Sequence, residues 1–248
     1  MRAFLLRRWW LIRNRIISAV TLSLIIPSVL TIVTVLGIKN IIIRSINGLP
    51  YEIWVMPGLF MFMAAILITP LIYRDFFDLR IHHKVLIPMV SSPLRKSFIV
   101  VGILVSSLIE VVFTLIIGMI IYSSIFPHSV GFIHGLITIF YSLLFAVLFG
   151  TIVILISLLT ERISVFVYTV LVVLIISMFA CGLFIELEFY PVTLGNIFRY
   201  FPLTMIGIAG RSMIFQNSMN YFNSIIPVIT IVLLIYLNGI ILKRKMRQ

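Results

Sequence analysis

The chain has 248 residues, of which 62% are hydrophobic and 10% are charged, and its formal net charge is +12. Because soluble domains are roughly 45–50% apolar and 25% charged, this composition excludes a water-soluble fold, which could not bury so much apolar surface. The single cysteine, Cys181, also excludes an intramolecular disulfide and a metal site built from several cysteines.

The lysine and arginine residues alternate with long apolar runs. Fifteen of the 19 fall in four segments, at 2–15, 74–96, Arg162 and 243–247. Cations at the ends of apolar runs, rather than in a patch with interleaved aromatic residues, are typical of membrane topology and of contact with anionic lipid, not of nucleic-acid binding. The positive-inside rule therefore predicts a multi-pass protein with both termini in the cytoplasm.

Residues 1–14 are too short and too cationic to cross a bilayer. They mix apolar residues with arginines, which favours an N-terminal amphipathic helix lying in the cytoplasmic interface, with its tryptophans at headgroup depth. The residues assigned to this interfacial helix are Arg7, Arg8, Trp9, Trp10 and Arg13. A cleaved signal peptide is the rival interpretation, but no small-residue cleavage pattern follows the next apolar run, which therefore predicts an uncleaved first span.

Six runs of about 20 apolar residues predict an all-α integral membrane protein with six transmembrane helices in a single domain, 1–248. Helices are favoured over a barrel because each run is continuously apolar instead of alternating. Pro27, Pro57 and Pro70 predict kinks inside or at the ends of spans. The predicted spans are Ile16–Gly37, Ile53–Tyr73, Phe98–Tyr122, Gly135–Leu158, Ile163–Phe184 and Ser224–Leu242.

Two connections are too long to be turns. The cytoplasmic connection, 74–96, begins with acidic, basic and aromatic residues at helical spacing, whereas the outer connection, 185–223, is long yet still apolar and is divided by Pro191 and Pro202. The outer connection predicts two short re-entrant helices that dip into the outer leaflet, where protein or water must cover any irregular backbone.

The sequence lacks the motifs of several enzyme classes. It contains no G-x-x-x-x-G-K-[ST] phosphate loop, no H-E-x-x-H and no G-x-S-x-G. The adjacent His82 and His83 point to different sides of a helix, which disfavours a metal role. We therefore expect that the chain is not an enzyme and binds no cofactor or metal of its own.

Glu110 is the one carboxylate deep within a predicted span. A charge near the bilayer centre costs at least about 2.5 kcal/mol. Glu110 therefore has either a transport or proton-linked role, or a structural role in which it is protonated or hydrogen-bonded to a Ser or Thr of another span. The sequence leaves both interpretations open.

Several segments resemble a known family when their order and spacing are taken together. They are residues 7–30, which join the interfacial helix to the first span, then 51–59 with the sequence YEIWVMPGL, 92–94 with SPL, 181–204 and Arg211. The chain resembles the membrane subunits of type-2 ABC exporters, in the branch of nodulation-factor, polysaccharide and drug export permeases. The likeness covers nearly the whole chain.

The resemblance implies a permease of an ATP-driven exporter in a bacterial plasma membrane. The chain would pair with itself or with a similar permease, and two copies of a cytoplasmic ABC ATPase subunit, which hold ATP and Mg²⁺, would dock on the interfacial helix and on the connection after the second span. On that connection, two aromatic rings rimmed by charge predict a docking surface. Its residues are Asp75, Phe76, Phe77, Asp78 and Arg80.

The composition of the spans bears on the cargo. Because they contain few ionisable groups, a path between them offers Ser, Thr, Tyr and Phe side chains, which suit sugar faces and acyl chains. An amphipathic or lipid-linked cargo, such as a glycan, glycolipid or hydrophobic drug, is therefore expected. The alternatives are a secondary transporter that uses Glu110 as its coupling carboxylate, and a membrane-embedded enzyme without an ATPase partner.

Overall fold

The computed structural model describes residues 2–14, 16–39, 41–42, 44–45, 48–82, 95–126 and 131–245. Helix makes up 87% of these residues, and no strand occurs among them. This confirms the predicted all-α fold. The described helices are α1 (Arg2–Asn14), α2 (Ile16–Leu30), α3 (Tyr51–Ile72), α4 (Lys96–Ile125), α5 (Phe132–Leu159), α6 (Ile163–Ala180), α7 (Val192–Arg199), α8 (Pro202–Phe215) and α9 (Tyr221–Lys245).

Six helical runs are long and apolar enough to cross a membrane. Four of them are α4, α5, α6 and α9, and the other two, Ala19–Lys39 and Tyr51–Ile81, continue α2 and α3 beyond their regular α-helical parts. The labels α2 and α3 include these continuations from here on. They confirm the six predicted spans. Five of them begin and end within a few residues of the predicted bounds. The exception is the second span, which continues beyond the predicted end at Tyr73 and forms one helical run from Tyr51 to Ile81.

The helix type changes inside two spans. A π-helical stretch, Thr31–Leu36, begins four residues after Pro27, and a second one, Tyr73–Asp78, begins three residues after Pro70. Proline removes a backbone donor and crowds the turn that precedes it, whereas both stretches follow their prolines, and Pro57 and Pro227 lie in regular α-helix. The second stretch carries the first half of the predicted cytoplasmic connection as a continuation of α3. Residues 83–94 of that connection, including His83, lie outside the described residues.

The core of the bundle is formed by α3, α4 and α5, which contact one another. Burial differs widely among the spans. Of the most apolar 18 residues of each span, 78% are buried in α3 but only 22% in α6. Helix α2 packs on α3 and α4, α9 packs on α4, α5 and α8, and α6 lies at the edge against α3, α5 and α8. The spans with the most exposed apolar surface are therefore α2, α6 and α9.

The outer connection contains two short helices, α7 and α8, after a 3-10 turn at Leu187–Phe189. Helix α8 begins at Pro202, where the missing N–H costs nothing because a first-turn donor has no intrahelical partner. It packs on α3, α5 and α9 and so belongs to the bundle. The entry of these helices into the outer leaflet stays a prediction, as does the interfacial position of α1.

Candidate functional site

Five charged side chains from three helices meet at one end of the bundle. They come from α1, from the π-helical end of α3 and from α4, and we call them the inner charge cluster. Its members are Arg7, Arg8, Arg74, Asp75 and Glu110.

Arg8 lies at the centre of the inner charge cluster. Its Nη1 donates to Asp75 Oδ2, and its Nε lies 2.7 Å from Glu110 Oε1. The side chains of Arg8 and Asp75 are only 2% and 4% exposed. One guanidinium therefore joins two carboxylates that belong to different spans.

The second carboxylate oxygen of Asp75 is also paired. Oδ1 accepts from Arg7 Nη2 at 3.3 Å and from Arg74 Nε at 3.2 Å, while Arg74 Nη2 lies 3.9 Å from Glu110. Three arginines thus surround two carboxylates. Burial lowers the pKa of the Arg8 guanidinium, and the charges of Asp75 and Glu110 oppose that shift. Since removing one partner of a buried pair typically costs about 3–5 kcal/mol, the cluster ties α1 firmly to α3 and α4.

A close helix contact brings α1 to this position. A Cβ atom on Gly102 of α4 would lie 2.8 Å from the ring of Phe4 on α1, so the absence of a side chain at Gly102 admits that ring. Four residues after Phe4, Arg8 reaches Glu110, about two turns further along α4. The contact between Arg8 and Glu110 therefore depends on the spacing of Phe4 and Arg8 along α1 and of Gly102 and Glu110 along α4.

The structure gives Glu110 a partner that neither interpretation of its role included. Glu110 pairs with Arg8 of α1, not with a Ser or Thr of another span. The reason lies in the length of α4: its 30 residues extend about 45 Å, well beyond a hydrocarbon core of about 30 Å. A residue in the middle of this helix by count can therefore lie beside α1 and the charged end of α3.

The residues predicted as a docking surface are placed differently from the expectation. Phe76 and Phe77 are fully buried, so they are not the exposed apolar part of such a surface. Phe77 instead packs in the bundle, with its ring centroid 4.7 Å from that of Phe166 on α6. The error arose because helical spacing alone cannot tell an exposed helix from the continuation of a buried span.

Arg80 closes the end of a neighbouring helix. Its Nη1 donates to the carbonyl oxygen of Leu158 at 3.1 Å, and its Nη2 donates to that of Thr160. These carbonyls lie at the end of α5, where a cation also favours the helix dipole. Asp78 lies one turn before the exposed His82, and its Oδ1 is 3.0 Å from Nδ1 of that histidine. The end of α3 is therefore held to α5 as well as to α1.

The remaining residues predicted for α1 lie on its surface. Trp9 and Trp10 are 63% and 69% exposed, and Arg13 is exposed as well. The helix thus has one side tied into the bundle through Arg8 and another that is free for lipid or protein. Arg74 was not predicted as a site residue. Its position beside Asp75, at the end of the apolar run of the second span, could have indicated it.

A second polar arrangement lies at the other end of the bundle, in the turn 181–186 that follows α6. We call this segment the outer turn. Arg211 of α8 donates from Nη2 to the carbonyl oxygens of Gly182 at 2.7 Å and Leu183 at 3.1 Å, and the hydroxyl of Tyr51 donates to that of Phe184 at 3.2 Å. Three consecutive carbonyls are thus satisfied by side chains from α3 and α8.

Arg211 also packs on an aromatic ring. Its guanidinium carbon lies 4.1 Å from the ring centroid of Trp54, which is a cation–π distance. Burial lowers the pKa of Arg211 to about 10, an effect that Glu186 and Glu188 oppose, so the side chain remains charged at neutral pH. The outer turn is therefore fixed to α3 and α8 by one charged group.

The sequence model of a family described as ABC-2 type transporter matches residues 2–215. The chain belongs to this family. None of the curated proteins matches the chain significantly. The family match confirms the resemblance to type-2 ABC transporters but does not distinguish the branches of the family. It makes the chain a permease subunit of an ABC transporter. Such subunits normally act with a cytoplasmic ABC ATPase and are typically not catalytic themselves.

Both polar arrangements fall inside the part of the chain that matches the ABC-2 family. A third set of contacts joins α2, α3 and α4 of this permease at the end of the bundle that holds the outer turn: Lys39 Nζ lies 2.7 Å from Glu52 Oε2, and the hydroxyl of Tyr122 donates to the backbone carbonyl of Glu52. Helices α2, α3 and α4 are therefore linked at this end, while α1, α3 and α4 are linked at the other.

Proposed function

We propose that this ABC-2 permease exports an amphipathic or lipid-linked molecule, and that the inner charge cluster transmits the movement of an ATPase partner to the spans. The observation that carries the proposal is Arg8, a buried cation on α1 that pairs with carboxylates on α3 and on α4. A movement of α1 or of the end of α3 is then transmitted to both α3 and α4. Separating these helices would leave a buried charge without its partner, which is energetically costly.

The proposed cargo follows from the chemistry of the spans. The one carboxylate near the middle of a described span, Glu110, is engaged by Arg8 and Arg74. Between their ends the described spans otherwise offer apolar, aromatic and hydroxyl side chains, together with the amide of Asn238, which donates to the carbonyl oxygen of Thr151. A highly charged cargo would find no counter-charge along such a path, whereas acyl chains and sugar faces would find apolar and stacking contacts. A glycan, glycolipid or hydrophobic drug fits this chemistry, and the resemblance to the polysaccharide branch favours the first two.

The proposed assembly contains two copies of a cytoplasmic ABC ATPase and a second permease, either this chain or a similar one. The cation-rich end of the bundle, which holds α1 and the end of α3, would face the ATPases, with both termini in the cytoplasm of a bacterial cell. ATP binding would shift the permease between inward-open and outward-open states because the ATPases bind one state better than the other. The exposed side of α1, with Trp9, Trp10 and Arg13, and the last helical turn of α3, with Asp78 and Arg80, are the surfaces that we assign to this contact.

A secondary transporter that uses Glu110 is the weaker candidate. A coupling carboxylate must be free to exchange a proton or ion during the cycle, whereas Glu110 already lies in an ion pair, with its Oε1 2.7 Å from the Nε of Arg8. The pairing supports a mechanical role for Glu110 instead.

Reconstitution tests the proposed function. The permease, purified gently with its associated proteins, is placed in vesicles with a fluorescent lipid-linked oligosaccharide, and the label in each leaflet is followed after ATP is added on the ATPase side. We expect label to leave the ATPase-side leaflet only with hydrolysable ATP. The matched control is the same complex with the phosphate-loop lysine of the ATPase substituted, which should move nothing.

Three results would overturn the proposal. Purification that brings no nucleotide-hydrolysing subunit would remove the ATP-driven mechanism. Movement of label toward the ATPase side would reverse the direction. ATPase activity stimulated only by a small hydrophilic ion, and not by lipid-linked glycans or amphipaths, would exclude the proposed cargo class.

A further inference from the structure

A short part of α2, Thr31–Leu36, departs from regular α-helical geometry. In this π-helical stretch the N–H of Gly37 donates to the carbonyl oxygen of Ile32, five residues earlier instead of four. The stretch contains neither proline nor glycine, so its own residues do not impose the wider turn. Such turns are rare, and they occur frequently at functional sites. The contacts on either side of the stretch show what it does in this helix.

The part of α2 before the stretch is held against α4. The hydroxyl oxygens of Ser23 and Thr114 lie 3.1 Å apart, which is a hydrogen bond between the two helices. One turn further along α2, a Cβ atom on Gly118 of α4 would lie 3.3 Å from Cβ of Pro27. The absence of a side chain at Gly118 thus lets Pro27 pack closely on α4. Up to the π-helical stretch, α2 is therefore fixed to the core of the bundle.

The part of α2 after the stretch is held by a different kind of contact. Lys39 Nζ lies 2.7 Å from Glu52 Oε2 of α3 and 5.4 Å from the ring centroid of Phe126, which directly follows α4. The side chains of Lys39 and Glu52 are 43% and 24% exposed, and ion pairs that solvent reaches contribute little to stability. This contact can therefore break and form again more easily than the packing of Pro27 on α4.

The hydroxyl of Thr31, at the start of the stretch, lacks a partner. Thr31 is 1% exposed, and its Oγ1 forms no hydrogen bond with any described residue. In a regular turn of the same helix, the hydroxyl of Thr21 donates to the carbonyl oxygen of Ile17, four residues earlier. Regular α-helix at the stretch would offer Thr31 the carbonyl of Pro27 in the same way. Because an unpaired buried hydroxyl is destabilising, the π-helical arrangement is the less favourable one for Thr31.

We propose that residues 31–39 are a two-state segment, which releases the end of α2 from α3 during the transport cycle. In the observed state the π-helical turn and the pair of Lys39 with Glu52 are formed together. In the second state the turn is regular α-helix and the Thr31 hydroxyl is paired with the Pro27 carbonyl. Removing one residue from a turn rotates the following residues by about 100° and displaces them by about 1.5 Å. This rotation turns Lys39 away from Glu52.

The two states are close in stability because each has one favourable contact that the other lacks. The observed state has the ion pair of Lys39, and the second state has the hydrogen bond of Thr31. A change in the ATPase partner can then shift the equilibrium, provided that it favours one state over the other. The inference rests on the proposed function only in that ATP drives the cycle. It does not depend on the cargo or on the direction of transport.

Fluorine NMR of the full-length chain tests the segment. A trifluoromethyl label is attached to Ile41→Cys, an 80% exposed position just after α2, in protein that also carries Cys181→Ala. We expect two resonances whose intensities report the two states. The control is the same label on Ser124→Cys, an exposed position at the end of α4, which should give one resonance. One resonance from Ile41→Cys in every variant and nucleotide state would overturn the proposal.

Two variants should shift the intensities in opposite directions. Lys39→Gln removes the ion pair and favours the second state, whereas Thr31→Val removes the unpaired hydroxyl and favours the observed state. We expect the ratio of the two states to change by about fivefold in each case. Thr34→Val is the control, because the Thr34 hydroxyl already donates to the carbonyl of Leu30 within its own helix. Shifts in the same direction, or no shift in either variant, would contradict the two-state segment.

The link to the transport cycle is tested in the complex with the ATPase. Trapping ATP with vanadate should shift the intensities toward the second state several-fold, and this readout requires no cargo. Thr31→Val should raise the midpoint of thermal unfolding and yet slow the movement of the fluorescent lipid-linked oligosaccharide, a combination that a purely structural role would not produce. If trapped ATP leaves the intensities unchanged, the segment is not part of the cycle, and the proposal is wrong. If the intensities shift but wild-type protein moves no oligosaccharide, the segment stands and the proposed cargo is wrong.

Discussion

The carbonyl oxygen of Leu183 occupies the position that a side chain on Gly58 would need. A Cβ atom built on Gly58 would lie 2.0 Å from this oxygen, and contacts between a Cβ atom and another heavy atom are essentially never closer than 3.0 Å. The outer turn therefore rests directly on the backbone of α3. Tyr51 and Arg211 hold the same turn from its other sides.

Gly58→Ala should destabilise the protein because neither backbone can move without breaking these contacts. Overpacking typically costs about 1–3 kcal/mol, and we expect a loss at the upper end of this range, measured as a lower midpoint of thermal unfolding in detergent. Gly37→Ala is the matched control, since its Cβ atom would meet nothing within 4 Å. The midpoint of that variant should be unchanged or higher. Equal midpoints for the two variants would mean that the outer turn is not seated on α3.

Arg211→Lys should loosen the outer turn although it keeps the charge. A lysine ammonium cannot reproduce the flat guanidinium over Trp54 or its reach to two carbonyls, so the substitution is not conservative here. We expect a loss of about 1–3 kcal/mol and faster proteolysis between residues 181 and 190. Arg199→Lys is the matched control. Arg199 pairs with Glu188, both side chains are about half exposed, and the substitution should therefore have little effect on stability. Comparable losses in both variants would contradict the role of Arg211.

The spans could be predicted from the sequence because they depend on length and apolar content alone. The requirement for about 20 apolar residues located all six, including the loosely packed α6. The end of α3 could not be predicted in this way. Charged residues at 74–80 end an apolar run, but the helix continues, and Arg74, Asp75 and Arg80 have partners on α4, α1 and α5.

The sequence identified several residues of the inner charge cluster, but it did not predict that they contact one another. Arg8, Asp75 and Glu110 were each selected from the sequence, for three different reasons. Their contact depends on how α1 lies on α4, which is decided by Phe4 against Gly102 and not by any local pattern. Composition and spacing carry no information about such long-range packing.

Arg80→Gln should destabilise the junction between α3 and α5. The substitution removes a cation from two carbonyls at the end of α5, and interactions of this kind contribute about 1–2 kcal/mol. Hydrogen exchange should speed up in the last turn of α5. His82→Gln is the control from the same segment, because the pair of this exposed histidine with Asp78 contributes little. Unchanged exchange in Arg80→Gln would mean that the arginine does not hold α5.

Arg8→Ala should separate ATP hydrolysis from transport in the reconstituted complex. Without the guanidinium, α1 contacts Asp75 only through Arg7, and Glu110 keeps only Arg74 at 3.9 Å. A movement of α1 is then passed to α3 and α4 through weaker contacts than the buried pairs of Arg8. We expect the amount transported per ATP hydrolysed to fall about tenfold, equivalent to 1.4 kcal/mol of lost coupling.

Two further variants make this test specific. Arg13→Ala removes the same charge from an exposed position on α1 and should leave the transport ratio unchanged. Arg8→Lys should recover only part of the ratio, because a single ammonium cannot bridge carboxylates that Arg8 contacts through separate nitrogens. Membrane insertion and ATPase binding, measured by fractionation and co-purification, should be equal in all three. If Arg8→Ala transports as efficiently as Arg13→Ala, the inner charge cluster only stabilises the fold, and coupling must run through the end of α3 alone.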